Sequence, residues 1–260
     1  MGFEISEKSQ ALNAQLEAFM QKHIYPREHD YAEWCLDQNN LWLTPPWFDE
    51  LRDLAKAEGL WNLFLPHEYQ PWSPGLTNVE IAPLFETMSK VMWAQPVFNC
   101  NAPDRGNMEV LAKYGTAQQQ EQWLEPLLAG EIRSAYAMTE PQVASSDATN
   151  MELEIKRDGD EYVLNGRKWW TTGAVNPRCK IMLVMGKSNP ENPRHSQHST
   201  ILVPRDTAGI TLVRPLRVFG NLHSPEGEAE LLFENVRVPM SNMIKGEAVS
   251  YTHLRAHETK

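Results

Sequence analysis

The sequence predicts an α+β protein in which a helical bundle domain precedes a separate β domain. Up to Arg133, apolar residues recur at the three- and four-residue spacing of amphipathic helices. After Arg133, short segments alternate apolar and polar residues, as half-buried strands do. A run of helices followed by a run of strands is typical of segregated domains. We expect a helical domain at 1–133, a β domain at 134–247 and an atypical tail at 248–260.

Five helices are predicted in the first part of the chain. The first carries the apolar stripe Leu12, Leu16, Phe19 and Met20 and ends before Pro26. The second begins near Pro46 and stops at Gly59. Thr77-x-x-Glu80 has the form of a capping box for a third helix, in which Pro83 predicts a kink or a later start.

The last two helices are marked by clear start and stop residues. Asp104 opens the fourth, with Met108 and Leu111 among its inward residues, and Gly115 closes it. Thr116-x-x-Gln119 caps the fifth, which stops at Gly130.

The β domain is predicted from alternation and turn signals. Met151, Leu153 and Ile155 alternate with charged residues, which indicates a half-buried strand. Asp158-Gly159 and Asn165-Gly166 are typical of hairpin turns. Further strands are predicted at 181–185, 200–203, 209–213 and 228–233, and the polar stretch 188–199 is predicted to be a surface loop.

Composition limits the class of function. The chain has 260 residues, 42% hydrophobic and 22% charged, with a formal net charge of −10. An acidic chain argues against nucleic acid as the main partner, although a phosphate-bearing small ligand needs only local donors. The three cysteines are scattered, and His23, His29, His67, His195, His198 and His223, six of the eight histidines, show no metal-ligand spacing, so we predict no metal site and a core or surface role for the histidines. No stretch resembles a secretory signal or a membrane span.

Two segments of the β domain predict a ligand site. The first, residues 136–147, begins like a strand, breaks at Pro141 and continues in small residues with Ser145 and Ser146, which would let an anion approach the backbone closely. The second, Lys168-Trp169-Trp170-Thr171-Thr172-Gly173, alternates aromatic bulk with hydroxyls. Together they could offer an aromatic wall and an anion cradle to a planar cofactor with a pyrophosphate.

Each segment also has an ordinary structural explanation. A Ser-Ser-Asp stretch is more often a loop with a local side-chain turn, and tandem tryptophans in a strand are more often core packing. Arg167-Lys168 and Asp104-Arg105 are interpreted as solvated charges, and Glu140, beside Pro141, as a structural hydrogen-bond acceptor.

With both segments considered, the sequence resembles the acyl-CoA dehydrogenases. Thr139-Glu140-Pro141 with the small-residue run looks like their flavin signature, and Asn165-Gly166-x-Lys168-x-Trp170-x-Thr172 looks like their second flavin segment. Ala-Ser-Ser-Asp-Ala-Thr-Asn at 144–150 is similar to the branch of family members ten and eleven. The resemblance implies an antiparallel, barrel-like middle β domain and a C-terminal four-helix domain, which this chain is expected to lack.

The resemblance also implies a set of site residues. Those expected to bind FAD are Tyr136, Met138, Thr139, Ser145, Ser146, Trp170, Thr171 and Thr172. Trp170 would cover a flavin face, and Thr172 would donate toward N5, where negative charge develops on reduction. Ser146 and Ser188 would contact the CoA part of an acyl-CoA substrate. Ser145 stands where most family members have glycine, with one extra residue in the loop, so the pyrophosphate contacts are expected to differ in detail.

The function implied is FAD-dependent α,β-dehydrogenation of a fatty acyl-CoA to a trans-2-enoyl-CoA in fatty acid β-oxidation. Electrons would pass to an electron-transfer flavoprotein, and the whole protein would be a homodimer or homotetramer. The catalytic base is expected in the C-terminal domain, so we nominate none, and we expect this chain alone to be inactive. The compartment would be the cytoplasm in bacteria, or mitochondria or peroxisomes in eukaryotes. A non-catalytic β module that packs on partners, or a different flavin-dependent oxidation on this scaffold, are the alternatives.

Overall fold

The computed structural model describes residues 4–249, and the chain divides into two compact units between Glu109 and Val110. The first unit is helical, and the second contains a curled, mixed β-sheet. The predicted α+β class is therefore confirmed. This division lies N-terminal to the domain boundary expected at 133/134, and that boundary stays a prediction. Most of the tail expected at 248–260 lies outside the described residues.

The first unit is built from helices that follow the apolar stripes of the sequence. The α-helices are α1 (Glu7–Phe19), α2 (Glu28–Leu36), α3 (Phe48–Ala57), α4 (Asn78–Met88) and the start of α5 (Asp104–Tyr114). Between α1 and α2 the chain stays helical, through a π-helical turn at Met20–Ile24 and a 3-10 turn at Tyr25–Arg27. The first α-helix ends at Phe19, before Pro26 as predicted, and Pro26 occupies the first turn of the 3-10 segment, where a missing N–H costs nothing.

Both predicted capping boxes are confirmed. Thr77 Oγ1 accepts from Glu80 N at 3.3 Å, while Glu80 Oε2 accepts from Thr77 N at 2.8 Å. Thr116 and Gln119 make the same reciprocal pair at 3.2 and 3.0 Å. The first box starts α4 at Asn78, so the later start that Pro83 suggested is wrong.

The second unit begins with short helical segments, α6 (Ala117–Gln119), a π-helical turn (Gln120–Leu124) and α7 (Glu125–Ala129), which end at the left-handed Gly130. Seven strands follow within residues 4–249. They are β1 (Arg133–Ala137), β2 (Glu154–Asp158), β3 (Glu161–Thr172), β4 (Cys179–Lys187), β5 (His198–Pro204), β6 (Ile210–Leu216) and β7 (Glu228–Pro239).

The strands form one sheet in the order β1-β4-β2-β3-β7-β6, with β5 paired to β4. Strand β1 runs parallel to β4, so the sheet is mixed rather than antiparallel throughout. The reason is topological: β2 and β3 lie between β1 and β4 in the chain, and this long crossover lets the two strands run in one direction. Residues such as Leu153, Ile155 and Leu164 fill the core on one face of the sheet.

One of the two predicted hairpin turns is confirmed and the other is wrong. Asp158 pairs with Glu161 across a tight turn, as Asp158-Gly159 predicts. Asn165 and Gly166 instead lie inside β3. Gly166 is needed there for space, because a Cβ on it would lie 2.8 Å from Leu153 Cα. The Asn165 Oδ1 atom accepts from Asn235 N at 2.8 Å, so its side chain stabilises a neighbouring strand.

Within residues 4–249, no helix has both the length and the apolar character needed to cross a bilayer.

Candidate functional site

The two predicted segments meet in the structure. β1 ends at Ala137, and the chain after it runs beside β3. Trp169 N donates to Thr139 O at 3.0 Å, and the Lys168 ammonium donates to Met138 O at 2.8 Å. The backbone of Met138 and Thr139, which the sequence predicts to line a flavin ring, is therefore attached directly to the tryptophan segment.

A buried ion pair holds this junction. Lys168 Nζ lies 2.8 Å from Glu140 Oε1, and the two side chains are 0% and 3% exposed. The Glu140 carboxylate also accepts from Glu152 N at 2.7 Å and from Leu153 N at 2.8 Å. The predicted role of Glu140 as a structural acceptor is confirmed. The interpretation of Lys168 as a solvated charge is wrong, because the side chain is fully buried. Its burial is compensated by the Glu140 carboxylate and the Met138 carbonyl.

Burial lowers the pKa of Lys168 to about 8, and the nearby Glu140 carboxylate acts in the opposite direction. The 2.8 Å contact with the Glu140 carboxylate favours the protonated ammonium. Arg167, the preceding residue, is 38% exposed and pairs with the buried Glu230 at 3.1 Å. Asp104, also interpreted as solvated, is 1% exposed, so that interpretation is wrong as well.

The small-residue loop is held by its own serine. Ser145 Oγ accepts from Glu140 N at 2.8 Å and lies 3.1 Å from Glu140 O, to which it can donate. This hydroxyl therefore closes the loop, and any contact of Ser145 with a phosphate would have to come from its backbone. Ser146 is exposed at the surface of the same loop. Its predicted contact with a pyrophosphate stays a prediction.

A β-bulge re-aims the tryptophan segment. Lys168 pairs with Leu231 but Thr171 pairs with Ala229, so β3 has one extra residue between these pairs. Trp170 lies in this bulge with φ of 52° and is 40% exposed. A bulky residue at positive φ costs about 1–3 kcal/mol, and such strain is concentrated at functional sites. The bulge was not visible in the sequence, because Trp and Thr are ordinary strand residues.

The bulge also decides which hydroxyl faces which side of the sheet. Ala229, the partner of Thr171, belongs to the core, so Thr171 faces the core and is 0% exposed. Thr172 lies on the opposite face, half-buried beside Glu228. Tyr136, half-buried between core-facing alanines of β1, also faces away from the core.

Two buried polar atoms at this bulge lack hydrogen-bond partners among the described residues: Trp169 Nε1 and Thr171 Oγ1. Buried donors and acceptors are rarely left unpaired, so unpaired ones beside a partly exposed aromatic residue indicate a place where a ligand or water supplies the missing bonds. This is the feature of the structure that best fits a bound flavin. The Thr171 hydroxyl faces the core, so the predicted contact with a flavin would require the flavin to reach this hydroxyl through the bulge.

The loop between β4 and β5 contains the other predicted substrate residue. Ser188 Oγ lies 2.6 Å from Ser199 Oγ and 2.5 Å from Asn189 Oδ1, so its hydroxyl is engaged within the loop. The same loop brings Arg194 to Asp147, with Nη2 2.7 Å from Oδ2. Sequence reasoning missed Arg194, because a single arginine in a polar loop has no distinguishing spacing.

The described histidines contain one unusual member. His198 is 0% exposed, and neither ring nitrogen has a hydrogen-bond partner among residues 4–249. Burial, together with the positive charges of Lys187 and Lys168, lowers the pKa of His198 to about 4. The imidazole is therefore a neutral core residue, in agreement with the default role expected for it. In the part of the chain that the structure describes, no cluster of three or more His, Cys, Asp or Glu side chains could hold a metal.

A double-mutant cycle tests the buried pair. Glu140→Gln and Lys168→Met should each destabilise the second unit by about 3–5 kcal/mol, because each leaves a buried charge without its partner. The double variant should cost clearly less than their sum, and urea unfolding at pH 7 measures all three. The matched control is Glu17→Gln with Lys90→Met, a Lys–Glu pair at the same 2.8 Å but exposed. That pair should couple by less than about 1 kcal/mol. Additive effects in the Glu140–Lys168 cycle would contradict the account.

The pH dependence of stability tests His198. Its folded pKa lies below the ordinary value of about 6.5, so protonation favours the unfolded chain. Its stabilising contribution is complete above about pH 6.5 and is lost as the pH falls toward 4. His198→Gln should remove on the order of 2–3 kcal/mol of this acid sensitivity between pH 7 and 4, as measured by urea unfolding across that range. His195→Gln, at an exposed position in the loop that precedes β5, should keep the wild-type slope. An unchanged slope in His198→Gln would refute the assignment.

Comparison with known proteins identifies the family. The family profile "Acyl-CoA dehydrogenase, N-terminal domain" matches residues 6–131, and "Acyl-CoA dehydrogenase, middle domain" matches residues 135–236. Acyl-CoA dehydrogenase family member 11 of Gallus gallus is 50% identical over 250 residues, which is 94% of this chain and 32% of that protein. Acyl-CoA dehydrogenase family member 10 of Mus musculus is 49% identical over 245 residues, which is 93% of this chain and 23% of that protein.

A solved structure, "Structure of a putative acyl-CoA dehydrogenase from Mycobacterium abscessus", superposes with a TM-score of 0.93 at 44% identity, over 98% of this chain and 64% of that one. The chain thus spans at most about a third of the two curated relatives it is compared with. The resemblance stated from the flavin segments, including its branch, is confirmed. This chain belongs to the acyl-CoA dehydrogenase family, whose N-terminal and middle domains it carries.

Proposed function

We propose that the protein works as an FAD-dependent dehydrogenase of fatty acyl-CoA thioesters. It would convert the substrate to the trans-2-enoyl-CoA and pass electrons to an electron-transfer flavoprotein, as a homodimer or homotetramer. FAD supplies the acceptor for the hydride that leaves the β carbon. The observation that carries the proposal is the β3 bulge, where unpaired buried polar atoms lie next to the half-exposed Trp170.

The chain's own groups match what a flavin site needs. Trp170 offers an exposed aromatic face, and Thr172 offers a hydroxyl on the side of the sheet away from the core. The backbone of Met138 and Thr139 is held beside them by Lys168 and Trp169. Ser146 would meet the pyrophosphate from the exposed surface of the small-residue loop. These roles are proposed for this chain on the strength of its contacts and its family.

The division of labour between these groups follows from their chemistry. A hydroxyl directed at N5 stabilises the negative charge that hydride transfer brings there, so Thr172 would favour the reduced flavin. A tryptophan stacked on the ring would exclude water from that face. We assign no general base among the described residues. Glu140, the conspicuous carboxylate of the motif, is already bonded to Lys168 and to two backbone amides.

Removing the Thr172 hydroxyl tests the site. The purified chain, titrated with FAD, should quench flavin fluorescence and bind about one equivalent. In Thr172→Val, loss of one hydrogen bond of about 1–2 kcal/mol to the reduced flavin should lower the midpoint potential of the bound flavin by about 20–40 mV. Thr211→Val, at an exposed threonine of β6, is the matched control and should leave the potential unchanged. A chain that binds no FAD, or a potential that Thr172→Val does not move, would contradict the proposal.

A further inference from the structure

The loop at 188–197 is an ordered platform rather than a loose connection. Ser188 N and Asn189 N both donate to Gln197 O, at 2.9 and 3.2 Å. The Gln197 side chain returns to Pro190 O and Asn192 O, each at 2.8 Å. Arg194, which lies within this frame, therefore presents its side chain from a defined position.

Arg194 uses only part of its hydrogen-bonding capacity. Its Nη2 contacts Asp147 Oδ2 at 2.7 Å and Asn150 Oδ1 at 3.4 Å. Its Nε and Nη1 have no hydrogen bond or ion pair among the described residues, and the side chain is 60% exposed. A guanidinium has five N–H donors in a planar fork, and both of its bidentate edges include Nη2, so Nε and Nη1 can each donate a single bond to a further partner while Nη2 stays on Asp147.

The position of this fork favours an anion. Asp147 directly follows Ser146, so Arg194 lies over the end of the small-residue loop. The stretch 187–198 contains two basic residues, Lys187 and Arg194, and one acidic residue, Glu191. The chain as a whole has a net charge of −10. A phosphate group offers several acceptor oxygens to these free N–H donors, and it can take a bidentate edge of the guanidinium once the contact with Asp147 is exchanged.

Asp147 does not prevent such a ligand from binding. The ion pair is exposed on both sides, at 60% and 45%, and exposed pairs contribute little net stability. Asp147 Oδ1 is separately bonded to Thr149 N at 3.0 Å and Thr149 Oγ1 at 2.6 Å, so the loop keeps its shape if Arg194 turns away. Because the carboxylate offsets one positive charge, a dianionic phosphate monoester competes better than a singly charged diester.

We propose that Arg194 binds the 3′-phosphate of the CoA part of the substrate, by exchanging or sharing its contact with Asp147. This inference rests on the proposed function, which supplies a CoA thioester as the ligand. It assigns to Arg194 a role in selecting CoA over carriers that lack the 3′-phosphate, separate from the residues that would hold the flavin.

The test compares CoA with 3′-dephospho-CoA on the FAD-loaded full chain, by isothermal titration calorimetry at low salt. Arg194→Gln should weaken CoA binding at least about tenfold and leave 3′-dephospho-CoA binding within about twofold of wild type. Arg237→Gln is the matched control, because Arg237 also makes exposed ion pairs, with Asp158 and Glu161. It should bind both ligands as wild type does. Unchanged urea midpoints in the two variants would confirm that they fold.

Each other outcome has a defined meaning. Equal losses for both ligands in Arg194→Gln would place the arginine on the diphosphate and overturn the proposal. Unchanged CoA binding in Arg194→Gln, with a wild type that binds FAD and CoA, would overturn this inference alone. A wild-type chain that binds neither FAD nor CoA would overturn the proposed function, and this inference with it.

Discussion

The site depends on the buried contact between Glu140 and Lys168. One carboxylate takes up the ammonium and two backbone amides, and the same ammonium holds the carbonyl of Met138. The end of β1, the start of β2 and the middle of β3 are thereby joined at one point. Because both charges are out of water, the arrangement is stable only when complete, so it tolerates little variation in the backbone around it. A binding surface built on that backbone is pre-organised before any ligand arrives.

The bulge next to this contact shows how strain and order are combined. Trp170 is held at a positive φ that a tryptophan would not adopt alone. The pairs Lys168–Leu231 and Thr171–Ala229 on either side leave it no alternative. The strand pairing offsets the conformational free energy that the positive φ costs. As a result, the aromatic ring remains partly exposed instead of packing in the core. Thr172 is turned to the face opposite the core by the same extra residue, so a single backbone irregularity sets the direction of both side chains.

Local sequence signals were sufficient to predict most helices and strands. They were insufficient to predict the long-range contacts that join these elements. Thr77-x-x-Glu80 and Thr116-x-x-Gln119 predicted helix starts correctly, because a capping box needs only residues three apart. Asn165-Gly166 gave a wrong turn prediction. The dipeptide favours a turn, but here the glycine is needed because it has no Cβ to collide with Leu153. Lys168 and Arg194 could not be placed from the sequence, since their partners lie 28 and 47 residues away. Long-range pairs of this kind are decided by the path of the chain and not by local propensity.

The most direct test of this account is the dissociation constant for FAD of a folded chain from which the buried pair has been removed. The double variant Glu140→Gln/Lys168→Met leaves no charge buried at this point, so the sheet can form while the Met138 carbonyl loses its cation. The account predicts at least about tenfold weaker FAD binding than wild type, with Glu17→Gln/Lys90→Met binding as wild type does. A folded double variant that binds FAD with wild-type affinity would contradict it.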